Sequence, residues 1–159
     1  GIRDRSPSRG LGDVYKRQVR SFARAPLQVL ARIDVAAGGT GIPAGESARL
    51  QGIARLIAQG SGPAFDLLLP SVVHAEIAAG QFFGPRSGLV ARVAARLTAV
   101  HTGFDPRGFA VPEVYYTRHR AEYAAAVDNY RTALADTLAT HLAAWTAGGK
   151  EADAIARAA

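Results

Sequence analysis

The spacing of apolar residues between Ser87 and Val100 is the feature of the sequence that most restricts its fold. Four apolar side chains recur there at intervals of four, four and three residues: Leu89, Val93, Leu97 and Val100. This period places them on one face of an α-helix, whereas a half-buried strand would alternate at every second residue. Serine caps helix N-termini, and glycine is typical just beyond a helix C-terminus. The pattern therefore predicts a helix over 87–100 that Ser87 caps and Gly103 closes.

The rest of the chain repeats this helical organisation and contains no convincing period-two run and no internal repeat. The remaining helices are predicted from Pro26 to the glycine-rich loop 38–45, over 46–59, over 71–79 after a kink or restart at Pro70, and over 112–147 in one piece or two, ended by Gly148-Gly149. Apolar residues make up 48% of the 159-residue chain, which is enough to bury one core. We therefore expect an all-α fold, a compact helical bundle.

The chain divides into three predicted parts. Residues 1–18, GIRDRSPSRGLGDVYKRQ, resemble a translated sequencing adaptor and are predicted to be a non-native leader; a native basic tail is the alternative. Residues 19–147 form the predicted helical domain, and 148–159 begin a further helix that we expect to be truncated. Abundant alanine and arginine, with two lysines and no methionine, are typical of a high-GC bacterium and indicate that the native start is missing.

Composition also sets bounds on partners and on location. The net charge of +6 suggests nucleic-acid binding, but residues 1–18 hold five basic and two acidic residues, and the remaining 141 carry 14 basic and 11 acidic ones. That net of +3 predicts no nucleic-acid partner. No apolar run approaches the roughly 20 residues of a membrane span. The absence of cysteine excludes disulfides and thiolate metal sites, and we predict a cytoplasmic protein.

Three short motifs carry weak signals. Gly39-x-Gly41-x-x-Ala44 matches a dinucleotide fingerprint but lacks the strand that must precede one, which favours a plain loop. His74 and Glu76 form H-x-E without the P-C-x-x-C of zinc deaminases, and two residues apart on a helix they do not face one another. The run from Tyr115 to Arg120 either stacks bases and binds phosphates or is a half-buried helix start.

The loop before the predicted helix 87–100 carries the strongest signal. Gly84-Pro85-Arg86-Ser87-Gly88 is turn-like and leads directly into the helix N-terminus, where free N–H groups attract anions. Arg86 lies in the loop, and Arg92 and Arg96 follow on one helix face, so three guanidiniums are available for a polyphosphate. A capped surface helix with solvated arginines accounts for the same residues.

Residues 22–147 also resemble the Fic-fold (fido) family, in a divergent actinobacterial form. The similarity is distributed over Val73-His74-Ala75-Glu76, the loop and helix after it, Gly103-Phe104-Asp105-Pro106, and the stretch from Tyr115 to Arg131. The resemblance implies an α-helical core whose motif loop, H-P-F-x-[DE]-G-N-G-[RK]-x-x-R, joins two helices. It also implies transfer of AMP from ATP to protein hydroxyls. A β-hairpin flap like the family's is not recognisable, and residues 36–46 are the most glycine-rich candidate for a loop in its place.

Alignment on Phe83 separates what the motif keeps from what it has lost. Three positions match, namely Phe83 as framework, Gly88, and Arg92 as a phosphate contact. The others are replaced: Gln81 stands at the catalytic histidine, Phe82 at the proline, Pro85 at the metal-binding acid, Arg86 and Ser87 at glycine and asparagine, and Leu89 at the first arginine. Glutamine is no general base, and proline offers no carboxylate to Mg²⁺. His74 is the one candidate for a substitute base.

The resemblance therefore predicts a degenerate fido-like protein without a catalytic residue or a metal site. Arg86, Ser87, Gly88 and Arg92 are the predicted nucleotide- or phosphate-binding residues, ATP is the candidate ligand, and Mg²⁺ binding is not expected. A target, if there is one, would be another protein. Two alternatives stay open: an active AMP-transferase with a rearranged site, and a non-catalytic helical protein-interaction module.

Overall fold

The chain folds into an all-helical bundle in a computed structural model, which describes residues 7–60 and 62–158, with side chains described from Lys16 onward except for Ser47. The α-helices are α1 Pro7–Arg24, α2 Pro26–Ala36, α3 Ser47–Gln59, α4 Pro63–Asp66, α5 Leu69–Gly80, α6 Ser87–Thr102, α7 Glu113–Arg118, α8 Arg120–Asp128 and α9 Leu134–Ala158. Within the described ranges no strand is present, so the predicted all-α class is confirmed.

Most helix boundaries fall where prolines and glycines predict them. Pro26 is the first residue of α2, where its missing N–H costs no hydrogen bond. Gly60, at φ 70°, follows α3 and ends it. Gly103 follows α6 in the left-handed conformation, at φ 77°, as predicted. Pro70 lies in the first turn of α5, so the helix restarts there rather than kinks.

The stretch 112–147, predicted as one helix or two, forms three, namely α7, α8 and the first part of α9. Two further local predictions are wrong, and packing accounts for both. Ser87 is the first residue of α6 and does not cap it; its hydroxyl accepts a hydrogen bond from the N–H of Phe83, 2.9 Å away. Gly148-Gly149 does not end a helix, because α9 runs through both glycines. A Cβ atom at Gly148 would lie 2.5 Å from the backbone carbon of Val111, so a glycine here permits close contact with the chain before α7.

The core is built around the hairpin of α5 and α6. α5 is buried on nearly all sides, and α6 buries a stripe of small residues that lets the two helices approach closely. The apolar side chains of α1, α2 and α3 pack against one side of this hairpin. α7, α8 and α9 pack together, with α8 and α9 also contacting α5. The loop between α5 and α6, which is the predicted motif loop, joins the two helices of this central hairpin.

Part of the predicted leader is helical and continuous with the domain. α1 extends from Pro7 across residue 18 to Arg24. In its second half Val19 and Phe22 belong to the buried core, and Phe22 is 0% exposed. Residues 1–6 lie outside the described part of the chain. None of the helices in the described ranges has the length and apolarity needed to cross a membrane.

Candidate functional site

The motif loop between α5 and α6 is a tight turn anchored by two buried aromatic rings. Gln81 begins it in the left-handed conformation, at φ 51°, and its side-chain amide donates a hydrogen bond to the carbonyl of Ala78, 2.6 Å away. Phe82 and Phe83 are buried, and a 3-10 turn, Gly84–Arg86, completes the loop. The predicted framework role of Phe83 fits this burial. The side chain at the motif histidine position is thus used locally, to end α5.

Two of the four predicted phosphate ligands already have partners inside the protein. The hydroxyl of Ser87 is completely enclosed and accepts from Phe83. Arg86 donates to the carboxylate of Asp34 with an Nε–Oδ1 distance of 2.6 Å. Asp34 is 1% exposed and also accepts from the backbone N–H of Gly41, at 2.9 Å. The hydrogen bond from Arg86 lowers the pKa of Asp34, although burial opposes this, so the pair is charged.

The Arg86–Asp34 pair fixes the glycine-rich loop after α2 against the motif loop. Ala44 donates its backbone N–H to the carbonyl of Phe82, 2.8 Å away, which adds a second tie between the two loops. A Cβ atom at Gly39 would collide with the Asp34 carboxylate at 2.1 Å, so glycine is required there. Residues 37–46 therefore cover the motif loop as an irregular segment, without a hairpin of strands. This also agrees with the prediction that Gly39–Ala44 is a plain loop.

The three arginines predicted to converge on a polyphosphate point to different partners. Arg96 donates to the carbonyl of Gly108 at 3.3 Å, and lies 3.8 Å from a carboxylate oxygen of Glu113. Among the described residues Arg92 forms no ion pair with a carboxylate. The guanidinium of Arg92 lies over the start of α6, 3.8 Å from where a Cβ atom of Gly88 would stand. Arg92 and Gly88 are thus the predicted ligands that no carboxylate engages among the described residues, although Arg92 also interacts with the Tyr123 hydroxyl.

Arg92 borders a cluster of two tyrosines and two histidines, of which all but the half-buried Tyr123 are buried. The Tyr123 hydroxyl lies 2.9 Å from Nε2 of His74, and the Tyr116 hydroxyl lies 2.7 Å from Nδ1 of His141. The imidazole rings of His74 and His141 are 4.4 Å apart between centroids, and the two phenol rings are 4.6 Å apart. Four rings from α5, α7, α8 and α9 therefore form one polar block inside the bundle.

Hydrogen-bond direction follows from the chemistry of Arg92. A guanidinium can only donate, so in its hydrogen bond with Tyr123 the phenol oxygen is the acceptor. The Tyr123 hydroxyl then still has its own proton to donate to Nε2 of His74, 2.9 Å away. Burial lowers the pKa of His74 well below its ordinary value, and the nearby His141 and Arg92 act in the same direction. His74 is consequently neutral.

His141 is neutral for the same reason, because burial lowers its pKa to about 4. Its Nε2 atom is buried and has no hydrogen-bond partner among the described residues. An orphaned N–H donor costs more than an orphaned lone pair, so the proton is favoured on Nδ1, where Tyr116 accepts it. In this tautomer the Tyr116 hydroxyl keeps its own proton for another acceptor. Burial raises the pKa of Tyr116, so that proton is held firmly.

A cavity of about 380 Å³ opens beside this block, between α6, α7 and α8. Its lining consists of Arg92, Glu113, Tyr116, Thr117, Arg120 and Tyr123. Two guanidiniums and the Tyr116 hydroxyl can donate hydrogen bonds here, against one carboxylate, because the Thr117 hydroxyl donates to the carbonyl of Glu113 and the Tyr123 hydroxyl pairs with His74. Such a set suits a small anion that carries several acceptor oxygens.

The run from Tyr115 to Arg120 is a half-buried helix start, which is one of the two interpretations given for it above. Tyr116 is buried in the ring block, whereas Tyr115 is half-buried and stacks on the exposed His119 with centroids 4.1 Å apart. Arg118 is exposed and Arg120 reaches the cavity. The two tyrosines face different ways, so they do not form one stacking surface.

His74 and Glu76 diverge, as their spacing predicts. Glu76 accepts a hydrogen bond from Nη2 of Arg49 at 2.7 Å, on the side of α5 away from Tyr123. Burial opposes ionisation of Glu76, but hydrogen bonds from Arg49 and Tyr130 outweigh it and lower its pKa. This ion pair ties α3 to α5. In the part of the chain that the structure describes, no group of three or more metal-ligating side chains is present.

Sequence reasoning missed Asp34, Tyr123 and His141 as members of the site. Asp34 lies 52 residues from Arg86, and His74 lies 49 residues from Tyr123. The one available signal was the interval of seven between Tyr116 and Tyr123, which suggests a shared helix face. Comparisons with protein-family models, with curated proteins and with solved structures give no match to this chain.

Proposed function

We propose that this protein is a fido-like helical domain that binds a phosphate-bearing ligand at Arg92 and does not transfer nucleotides. One observation carries the proposal: Arg92 is a half-buried guanidinium, without a carboxylate ion pair in the described residues, that lines the 380 Å³ cavity. A guanidinium that is partly withdrawn from water and has no ion-paired carboxylate favours an anionic ligand. The position agrees with the phosphate contact implied by the fido resemblance.

Fewer of the predicted residues are available to a ligand than the sequence alone suggests. Arg86 and Ser87 have internal partners, so they shape the loop, while Arg92 lines the cavity and Gly88 lies next to the Arg92 guanidinium. Arg120 and the Tyr116 hydroxyl extend the donor set on the far side of the cavity. ATP, ADP and AMP remain the candidate ligands, and Glu113 in the same wall disfavours the most highly charged of them.

The absence of transfer follows from the groups at the motif positions. Gln81 has no titratable group, and Pro85 has no carboxylate for Mg²⁺, so the attacking hydroxyl and the phosphate charge are both left unassisted. His74 is a poor substitute base. It is 1% exposed, and its Nε2 atom is already paired with the Tyr123 hydroxyl. Any hydroxyl-bearing partner protein would therefore be bound without being modified.

The test is the melting temperature of the full chain with ATP, ADP or AMP, each with and without Mg²⁺. The full chain is needed because α1 crosses residue 18 and contributes to the core. A ligand at one hundred times its Kd adds about 2.7 kcal/mol, which raises Tm by roughly 5–10 °C for a domain of this size. We expect a shift that is independent of Mg²⁺ and lost in Arg92→Ala.

Arg118→Ala is the matched control, because Arg118 is exposed on α7 and does not line the cavity. It should retain the full shift. A cooperative melt without any nucleotide shift would refute the phosphate site and favour the helical interaction module. Incubation with ATP labelled on the α-phosphate, with Mg²⁺ or Mn²⁺, should leave the chain unlabelled. A label that depends on the protein's fold would refute the claim that transfer is lost.

A further inference from the structure

A second cavity, of about 500 Å³, lies on another side of α6 and plays no part in the phosphate site. It is enclosed by the second half of α1, by α2, by α6 and by the turn at Gly108. Its lining consists of Gln18, Ser21, Val29, Arg32, Ile33, Ala36, Val93, Arg96, Leu97 and Gly108. The volume falls within the range of small-molecule sites in proteins.

The walls of this cavity are apolar because apolar side chains recur at helical spacing on the two helices that form them. Val29, Ile33 and Ala36 recur on one face of α2, and Val93 and Leu97 recur on one face of α6. Val29 and Ile33 pack against the buried core, and Leu97 is 6% exposed, whereas Val93 is 37% exposed. Two apolar ridges thus face each other across a space that the protein leaves unfilled. Covering them would remove apolar surface from water.

The charge around the cavity has one sign. Arg32 and Arg96 are its charged lining residues, and none of the residues that line it carries a carboxylate. Arg96 is partly compensated by Gly108 and by Glu113. Arg32 is exposed on α2 and takes part in none of the ion pairs formed by the described residues. Apolar walls with an available guanidinium at the rim complement a molecule that is apolar along its body and anionic at one end.

We propose that this cavity binds a small amphipathic carboxylate, with its alkyl chain between α2 and α6 and its carboxylate on Arg32. A guanidinium and a carboxylate form charge-assisted, often paired hydrogen bonds, and this fixes the orientation of the chain. Each methylene that enters the cavity adds about fourfold in affinity, so two methylenes add roughly fifteenfold. Affinity therefore rises with chain length until the cavity is full.

Isothermal titration of the full chain with octanoate and decanoate, below their micellar concentrations, tests the proposal. We expect saturable one-to-one binding, with decanoate about fifteenfold tighter. Arg32→Gln should weaken decanoate about tenfold or more, since it removes the charged partner. Arg55→Gln, the same change on α3 outside the cavity, should leave binding unchanged. Decanol should bind more weakly than decanoate in the wild type.

Ala36→Trp supplies a second test, because it places an indole at the mouth of the cavity from the exposed last residue of α2. It should abolish decanoate binding while the nucleotide-dependent Tm shift persists, which separates this site from the one at Arg92. The proposal would be overturned if the wild type showed no saturable decanoate binding, or if Arg32→Gln and Ala36→Trp both bound decanoate as tightly as the wild type. A wild-type dimer that Ala36→Trp makes monomeric would also overturn it, because a second copy would then cover the cavity.

Discussion

Acidification should destabilise this protein well above the pH at which its carboxylates titrate, because two histidines are buried in the neutral form. His74 is 1% exposed and His141 is 0% exposed, and burial lowers the pKa of both. In the unfolded chain each has an ordinary pKa near 6.5. The unfolded state therefore binds protons that the folded state refuses. The stability is fully present above pH 6.5 and is lost as the pH falls toward the folded value.

The magnitude can be worked out for His141, whose pKa is about 4 in the fold. Between pH 7.5 and pH 5.0 its linkage to unfolding removes about 2 kcal/mol of folding free energy. His74 acts in the same direction and adds to this loss. Ion-paired Asp34 and Glu76 have lowered pKa values, so their contribution is lost only below their ordinary values of 3.8 and 4.5. The loss of stability caused by the histidines therefore occurs at higher pH than the loss caused by these carboxylates.

Urea unfolding at pH 7.5 and 5.0 measures this loss, followed by the fluorescence of Trp145, the sole tryptophan, which is buried. In His141→Gln the amide can still hydrogen-bond to Tyr116 but cannot titrate. We expect this variant to lose about 2 kcal/mol less than the wild type between the two pH values. An unchanged pH dependence in this variant, or no loss in the wild type, would refute the assignment of a neutral buried His141.

Tyr116→Phe separates burial from hydrogen bonding as the cause. It removes the partner of Nδ1 of His141 but leaves the ring in place. Because burial alone lowers the pKa of His141, we expect the pH dependence to persist while stability falls by about 1 kcal/mol at both pH values. A pH dependence that disappears in this variant would mean that the hydrogen bond, rather than burial, keeps His141 neutral.

Further predictions concern close packing and the loop tie. Gly148→Ala should destabilise the protein by about 1–3 kcal/mol in urea unfolding, because its Cβ would lie 2.5 Å from the backbone of Val111. Gly149→Ala, whose Cβ would meet nothing within 4 Å, should stabilise the protein by about 0.5–1 kcal/mol. Equal effects of the two substitutions would contradict the packing argument. Asp34→Asn should lower Tm and speed proteolysis of the loop after α2, and combining it with Arg86→Ala should add little, because each change breaks the same pair. Additive losses would show that the two residues act separately.

The sequence alone was sufficient for the helix boundaries at Pro26, Gly60 and Gly103 and for the chemistry of the side chains at positions 81 and 85. Apolar spacing and helix-breaking residues act within a few positions, so Pro26 and Gly103 end or begin helices where they stand. Likewise, glutamine at position 81 and proline at position 85 lack a base and a carboxylate in any fold. These conclusions depend on residue chemistry at one place in the chain.

Only the tertiary structure decided which polar groups are free. The partner of Arg86 is 52 residues away and that of His74 is 49 residues away, and no local pattern encodes either pairing. Packing also overrode local preference at Gly148, where the contact with Val111 requires a glycine inside α9 that propensity alone would place at a helix end. Arg92 stands out among the predicted ligands because the fold neutralises Arg86 and encloses Ser87. Long-range contacts are made only when helices pack, and that is why the site could not be completed from sequence.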